Sequence, residues 1–183
     1  GTCQELLTDS VTILVNQLPL VDFEATTVCL KESTVFTNRS SVTPGVIKNV
    51  VWDFGDGASS VIESPSHVYK SFKTYNVVLR AESVKGCLAS TSKKVSVNAL
   101  PVVDFFHSNI CDSIEMSFLQ NVSVSLPSSV IEYRWDFGDF TGNSLSPNAI
   151  YLFSKDGHYD VKLVAETNLG CSDSVSKKVT VYP

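Results

Sequence analysis

The sequence predicts an all-β protein made of two consecutive antiparallel β-sandwiches. Three features of the 183-residue chain support this prediction: an internal repeat, alternation of apolar and polar residues, and turn residues at short intervals. Short strands at regular spacing, about seven in each unit, are typical of an antiparallel sandwich. We find no stretch with the periodicity of a helix.

The internal repeat defines the two units. The segment Trp-Asp-Phe-Gly-Asp occurs at residues 52–56 and again at 135–139, and other pairs of segments repeat at nearly the same spacing. Such self-similarity indicates homologous units. We therefore predict a domain over 18–99 and a second over 100–183, while 1–17 is expected to be the C-terminal strand of a preceding, truncated repeat.

Within each unit, residues alternate between two environments. Tyr75, Val77, Leu79 and Ala81 fall on one strand face, and polar residues lie between them. The second unit repeats this pattern at Tyr159, Val161, Leu163 and Ala165. Strict alternation of this kind predicts half-buried strands.

Composition and charge exclude several function classes. The net charge of −5 argues against nucleic acid or an anionic membrane surface as partners, because both require clustered Lys and Arg. Apolar runs are all shorter than the roughly 18 residues of a membrane span, so we predict no membrane insertion. The sequence does not begin with a signal peptide, and we expect any export signal to lie upstream.

Four of the five cysteines occupy equivalent positions in the two units: Cys29 corresponds to Cys111, and Cys87 to Cys171. The simplest pairing is Cys29 with Cys87 and Cys111 with Cys171, one disulfide in each unit. Each bond would close a loop of about 60 residues and stabilise the fold by roughly 4 kcal/mol. Metal binding is the alternative, but the sequence lacks Cys-x-x-Cys pairs. Disulfides predict an oxidising, extracellular compartment.

The fifth cysteine, Cys3, has the sequence context of Cys87, a strand-like run that ends in Leu-Pro. It is therefore expected to be the second cysteine of the preceding repeat, unpaired within this chain, with its partner upstream of residue 1.

The repeated signature resembles the PKD (polycystic kidney disease) domain family. Three matching segments carry the resemblance in each unit: 52–57, 64–69 and 75–79, then 135–139, 146–151 and 159–163. The resemblance covers residues 18–183 and implies tandem immunoglobulin-like sandwiches of extracellular proteins. The Gly-Cys pairs are similar to those in PKD repeats of large bacterial surface and secreted proteins exported by type IX secretion.

The signature itself is expected to be structural. The two tryptophans would fill the sandwich core, and the aspartates would accept backbone N–H bonds in tight turns. A Ca²⁺ site at Asp56 and Asp139 is the alternative, since some PKD domains bind calcium; no other cofactor or metal is predicted. The signature residues are Trp52, Asp53, Gly55, Asp56, Trp135, Asp136, Gly138 and Asp139.

We expect no catalytic residues, because motifs for nucleophilic, phosphate or metal chemistry are lacking and His67, His107 and His158 are isolated. One modification pattern occurs, Asp-Ser followed by an apolar residue, which resembles the O-glycosylation site of those bacteria. It places candidate glycans on Ser10, Ser113 and Ser174.

The function predicted from these observations is that of a non-catalytic structural or adhesive segment, as in a stalk, filament or gliding adhesin at the cell surface. Its partners would be neighbouring repeats of the same chain, surface polysaccharide or cell-surface proteins. The alternative is a carbohydrate- or protein-binding accessory module of a secreted polysaccharide-degrading enzyme. Exposed aromatics would mark such a binding face, and the candidates are Phe105, Phe106, Phe140 and Phe153.

Overall fold

The structure is a computed structural model that describes residues 15–108, 111 and 113–183. The described residues form 15 β-strands and no helix, which confirms the all-β prediction. Accordingly, no helix in this part of the chain could cross a membrane. The strands fall into two successive sets with nearly the same order, which we call the first repeat (β1–β8) and the second repeat (β9–β15).

The first repeat contains two sheets. Its strands are β1 (Phe23–Ala25), β2 (Val28–Cys29), β3 (Ser33–Asn38), β4 (Ile47–Asp53), β5 (Ser59–Ser60), β6 (Ser66–Val68), β7 (Lys73–Ser83) and β8 (Leu88–Asn98). One sheet has the order β1-β3-β6, and the other has the order β2-β8-β7-β4-β5. The short strand β2 runs parallel to β8, with Cys29 opposite Asn98 at the end of the longer strand.

The second repeat has nearly the same topology. Its strands are β9 (Phe105–His107), β10 (Met116–Gln120), β11 (Val130–Asp136), β12 (Asn143–Ser144), β13 (Ala149–Tyr151), β14 (Gly157–Thr167) and β15 (Ser172–Val181). The sheets have the orders β13-β10-β9 and β12-β11-β14-β15. Where the first repeat has β2, the second has a single parallel bridge between Cys111 and Tyr182.

The predicted strand faces are confirmed along the long hairpins. Tyr75, Val77, Leu79 and Ala81 of β7 are all buried, and the residues between them are more exposed. In β14, the corresponding Val161, Leu163 and Ala165 are fully buried, while Tyr159 is partly buried. Alternation predicts burial well here because successive side chains of a strand point to opposite faces.

Chain contacts divide the described residues into two compact units. The first comprises residues 15–24, 36–65 and 76–93, and the second comprises 25–35, 66–75 and the described residues from 94 onward. The boundaries predicted from the repeat, after residues 17 and 99, stay predictions.

Each repeat buries a cluster of aromatic rings. In the first, Phe23 meets the Trp52 ring edge-on at 5.2 Å, and Phe36 and Phe54 pack beside them. In the second, the edge-on pair is Phe105 and Trp135 at 5.1 Å, with Phe118 and Phe137 in the places of Phe36 and Phe54. Edge-to-face pairs of this kind contribute about 0.5–1.5 kcal/mol beyond their burial.

Candidate functional site

The signature tryptophans lie at the centres of the two cores. Trp52 is completely buried and Trp135 is 2% exposed. Each indole N–H donates to a backbone carbonyl, Trp52 to Ile62 and Trp135 to Ser146, both at 3.0 Å. A buried indole needs such an acceptor. The tryptophans therefore also hold the segment that follows β5 and β12.

The signature aspartates accept backbone hydrogen bonds in the turn that ends β4. Asp53 Oδ1 accepts from the Gly55 N–H at 2.9 Å, and Asp56 Oδ1 accepts from the Ala58 N–H at 3.0 Å. Bonds from a side chain to the backbone two residues ahead are those of an Asx turn. These two carboxylates thus shape the turn that reverses the chain toward β5.

Asp139, in the same turn of the second repeat, has protein donors on both oxygens. Oδ1 accepts from the N–H groups of Thr141 and Gly142 at 3.0 and 2.8 Å, and Oδ2 accepts from the Tyr151 hydroxyl. Burial would raise the pKa of Asp139, but the hydrogen bonds from Tyr151, Gly142 and Thr141 outweigh it and lower the pKa. Burial, and then the bond to Asp139, raise the pKa of Tyr151. Both oxygens of the carboxylate thus accept hydrogen bonds from the protein.

Calcium at Asp56 and Asp139 gains no support from this geometry. Within residues 15–108, 111 and 113–183, no three His, Cys, Asp or Glu side chains are grouped so as to hold a metal ion. A calcium ion takes six to eight oxygen ligands, so a site for it would need several such side chains close together.

One residue of the second turn departs from its counterpart. Phe140 occupies the place of Gly57, and both have a positive φ, 67° and 94°. The phenyl ring is completely exposed. Left-handed backbone is costly for a residue with a Cβ, so the hydrogen bonds of Asp139 must hold the turn against that cost.

Two lysines form contacts that sequence reasoning missed. Lys93 lies 2.6 Å from Asp22 Oδ1 and donates to the Phe23 carbonyl, while its ammonium sits over the Phe23 ring. Lys177 makes the same three contacts with Asp104 and Phe105. The sequence contains a signal for these contacts, because the pairs Asp-Phe and Lys-Lys both recur in the two units.

Each of the two ion pairs lowers the pKa of its carboxyl group. The hydrogen bond from Lys93 lowers the pKa of Asp22, and the hydrogen bond from Lys177 lowers the pKa of Asp104. Both pairs are substantially exposed, so their effect on stability is small. Their role is to pin the start of each repeat to its last strand.

The disulfide differs from the expected pairing. The structure joins Cys29 to Cys171, 142 positions apart, with a Cα–Cα distance of 5.6 Å. Cys87 and Cys111 carry free thiols. The expected bonds, Cys29 with Cys87 and Cys111 with Cys171, are therefore corrected. Cys171 is fully buried, whereas Cys111 is exposed.

Strand length explains why the expected pairing fails. Cys171 directly precedes β15, a strand of 10 residues, and Cys111 bridges Tyr182 just after its end. At about 3.3 Å per residue, these ends lie roughly 33 Å apart, but the Cα atoms of a disulfide lie within about 7 Å. In the first repeat, Cys87 precedes the 11-residue strand β8 and Cys29 is opposite its last residue.

The remaining predicted residues lie at several places. Ser113 and Ser174 are exposed, as acceptors of a glycan must be, whereas Cys3 and Ser10 lie outside the described residues. Among the four candidate binding aromatics, Phe106 and Phe140 are exposed. Phe105 and Phe153 belong to the core instead, with exposed fractions of 0% and 2%.

A groove of about 640 Å³ lies within the first compact unit. Its apolar lining is aliphatic and includes Val51, Val61 and Leu88, and charged groups stand beside them, among them Arg80 and Glu82. The residues that line the groove include no aromatic ring.

Comparison with known proteins decides the family. The family model described as PKD domain matches residues 16–97 and again residues 98–182. The chain belongs to the PKD domain family. Its two PKD repeats account for nearly all of the described residues, and PKD and other immunoglobulin-like domains are generally non-catalytic modules.

The chain is similar to segments of much larger proteins. The chain is 39% identical over 70 residues to the microbial collagenase of Vibrio alginolyticus, covering 38% of this chain and 9% of that protein. It is 24% identical over 152 residues to the pre-pro-metalloprotease PrtV of Vibrio cholerae serotype O1, covering 80% of this chain and 16% of that protein. The chain thus spans less than a fifth of either relative.

Two solved structures are similar to this chain. The PKD1 domain of Vibrio anguillarum Epp is 32% identical, covers 46% of this chain and 99% of its own, and has a TM-score of 0.44. A titin I-band fragment, I67–I69, is 16% identical, covers 91% of this chain and 66% of its own, and has a TM-score of 0.51. The likeness to titin shows the immunoglobulin-like sandwich fold.

Proposed function

We propose that this pair of PKD repeats is a non-catalytic, load-bearing segment of an extracellular protein, such as a stalk or an adhesin array at the cell surface. The observation that carries the proposal is the Cys29–Cys171 disulfide, which joins the first family-matched segment to the second. Such bonds persist in oxidising compartments outside the cytosol. Export by type IX secretion stays a prediction.

The position of the disulfide has a mechanical consequence. A pulling force that enters before Cys29 and leaves after Cys171 passes through the bond, because the bond joins these two positions directly. The intervening residues, which contain strands β3 to β14, are bypassed by the covalent path while the bond is intact. A segment built in this way resists extension even when a repeat unfolds.

The remaining chemistry of the repeats agrees with a structural role. The signature carboxylates bind backbone N–H groups, and the tryptophans are buried. Lys93 and Lys177 pair with Asp22 and Asp104. The features that recur in both repeats thus serve folding.

Single-molecule stretching tests the proposal. The oxidised chain should release only its terminal segments, whereas reduction should add roughly 500 Å of contour length, at about 3.6 Å for each of the 142 released positions. A Cys29→Ser, Cys171→Ser chain should extend fully without reductant. Equal extension of the oxidised and reduced wild-type chains would contradict the load-bearing role.

The second candidate function is that of an accessory binding module in a secreted hydrolase. The groove of the first unit favours it, as does similarity to segments of a collagenase and a metalloprotease. The aliphatic and charged lining suits a protein segment better than a sugar, whose flat faces stack on aromatic rings. Retention of the chain on immobilised collagen tests this function. Val51 and Val102 are both exposed, but only Val51 lines the groove. Loss of retention in Val51→Asp but not in Val102→Asp would support the binding function. Equal retention of the two variants would exclude the groove.

A further inference from the structure

Among the described residues, two cysteines carry free thiols, and each has a bonded counterpart in the other repeat. Cys87 occupies the repeat position of Cys171, and Cys111 occupies the repeat position of Cys29. Cys171 and Cys29 are bonded to each other, whereas Cys87 and Cys111 are free. Cys87 and Cys111 are therefore the counterparts of two bonded cysteines, and neither has a disulfide partner among the described residues.

The hairpin that presents Cys87 is built like the one that presents Cys171. Ser83 and Cys87 are joined by backbone N–H to carbonyl bonding at 2.9 Å, and the Cys87 N–H donates to the Ser83 hydroxyl at 3.2 Å. Thr167 and Cys171 make the same two contacts at 2.9 and 3.1 Å. In both hairpins, the glycine before the cysteine has a positive φ, 79° and 76°. Cys87 is thus presented as Cys171 is.

Cys111 is held at the same strand end as Cys29. Cys29 lies opposite Asn98 in a parallel pairing, and Cys111 lies opposite Tyr182 in a parallel bridge. Both cysteines therefore stand beside the last residues of the final strand of their repeat. That strand has 11 residues in the first repeat and 10 in the second, so a length of roughly 33–36 Å keeps each cysteine from the hairpin cysteine of its own repeat.

We propose that Cys87 and Cys111 form disulfides with cysteines of flanking PKD repeats. These bonds are of the same kind as Cys29–Cys171, in which a strand-end cysteine of one repeat bonds a hairpin cysteine of the next. Cys111 bonds the hairpin cysteine of the repeat that follows it, and Cys87 bonds the strand-end cysteine of the repeat that precedes its own. Consecutive repeats are then linked one to the next by a covalent ladder. This inference rests on the proposed structural role but extends it to a defined chemical partner.

Formation of each bond is an oxidation that needs an electron acceptor, and a small-molecule disulfide such as oxidised glutathione supplies it. One cysteine thiolate attacks the glutathione disulfide, forms a mixed disulfide and releases one glutathione thiolate. The second cysteine thiolate attacks the protein sulfur of that mixed disulfide and releases the other glutathione. Two protons leave the cysteines, and two electrons reduce one glutathione disulfide to two thiols. The exposure of Cys111 and the partial exposure of Cys87 admit the oxidant.

A tandem fusion tests the proposal. Residues 1–181 are joined to residues 16–183, so that Val181 is followed by Asn-Gln-Leu-Pro much as Val97 is followed by Asn-Ala-Leu-Pro. Cys3 is replaced by Ser to remove a competing thiol. Cys111 of the first half then lies in the repeat directly before the one that contains Cys87 of the second half. The monomeric fusion is oxidised with glutathione, alkylated, and mapped by mass spectrometry without reduction.

We expect a Cys111–Cys87 peptide and two alkylated thiols per fusion, Cys87 of the first half and Cys111 of the second. Cys87→Ser in the second half should abolish that peptide, and Cys87→Ser in the first half should leave it intact. Four alkylated thiols, with Cys29–Cys171 formed in both halves, would overturn the ladder and leave the proposed structural role standing. A bond from Cys111 to Cys87 of the first half would also overturn the ladder. Absence of Cys29–Cys171 would overturn both proposals.

Discussion

Substitution of the signature glycine Gly55 by alanine tests why the Trp-Asp-Phe-Gly-Asp motif requires glycine. Gly55 has a φ of 76°, and a Cβ added there would lie 2.6 Å from the carbonyl oxygen of Asn76. That oxygen belongs to the backbone of β7, a strand paired with β4, so it cannot move away cheaply. Gly138 meets the Asp160 carbonyl oxygen of β14 in the same way at 2.7 Å.

Gly86 provides a matched control for the backbone conformation alone. Its φ is 79°, but an added Cβ would have no atom within 4 Å. A left-handed alanine costs about 1–2 kcal/mol, of which about 0.4–1 kcal/mol is offset by the stiffer unfolded chain. Gly86→Ala should therefore cost about 1 kcal/mol. Gly55→Ala adds a steric clash of about 1–3 kcal/mol, for a total of about 2–4 kcal/mol.

Urea unfolding followed by tryptophan fluorescence measures the difference, because the first repeat carries the buried reporter Trp52. The expected result is a lower unfolding midpoint for Gly55→Ala than for Gly86→Ala, at unchanged slope. Equal midpoints for the two variants would show that the positive φ alone, and not the close approach to β7, explains why the motif requires glycine at position 55.

Three further changes have defined outcomes. Tyr151→Phe should lower stability at neutral pH by about 1 kcal/mol and raise the pKa of Asp139. Because that pKa is depressed in the fold, its contribution is present above about pH 4 and is lost as pH falls, so the variant should lose less stability on acidification; an unchanged pH profile would contradict this. Lys177→Met should raise the pKa of Asp104, as measured by NMR, and change stability by at most about 1 kcal/mol. Cys29→Ser should leave one more alkylatable thiol in the oxidised chain, and the same thiol count as in wild type would exclude the observed pairing.

Burial at single positions was predicted best where it depends on local periodicity. Alternation placed Val77 and Leu79 in the core, because a strand in a two-sheet sandwich buries every second side chain. Periodicity did not separate Phe105 from Phe106, which are adjacent and were both candidates for an exposed binding face. A short strand of three residues does not show which parity faces inward, and the structure buries Phe105 and exposes Phe106.

The amino-acid sequence by itself determined the repeat, the all-β fold, the family and the equivalence of the cysteines, because each of these depends on local pattern and spacing. Only the tertiary structure decided which cysteines meet. Equivalence in sequence does not reveal that a strand of roughly 33 Å separates the two cysteines of one repeat, nor that Cys29 and Cys171 lie side by side. Disulfide pairing depends on distances between residues far apart in the chain, and those distances exist only after folding.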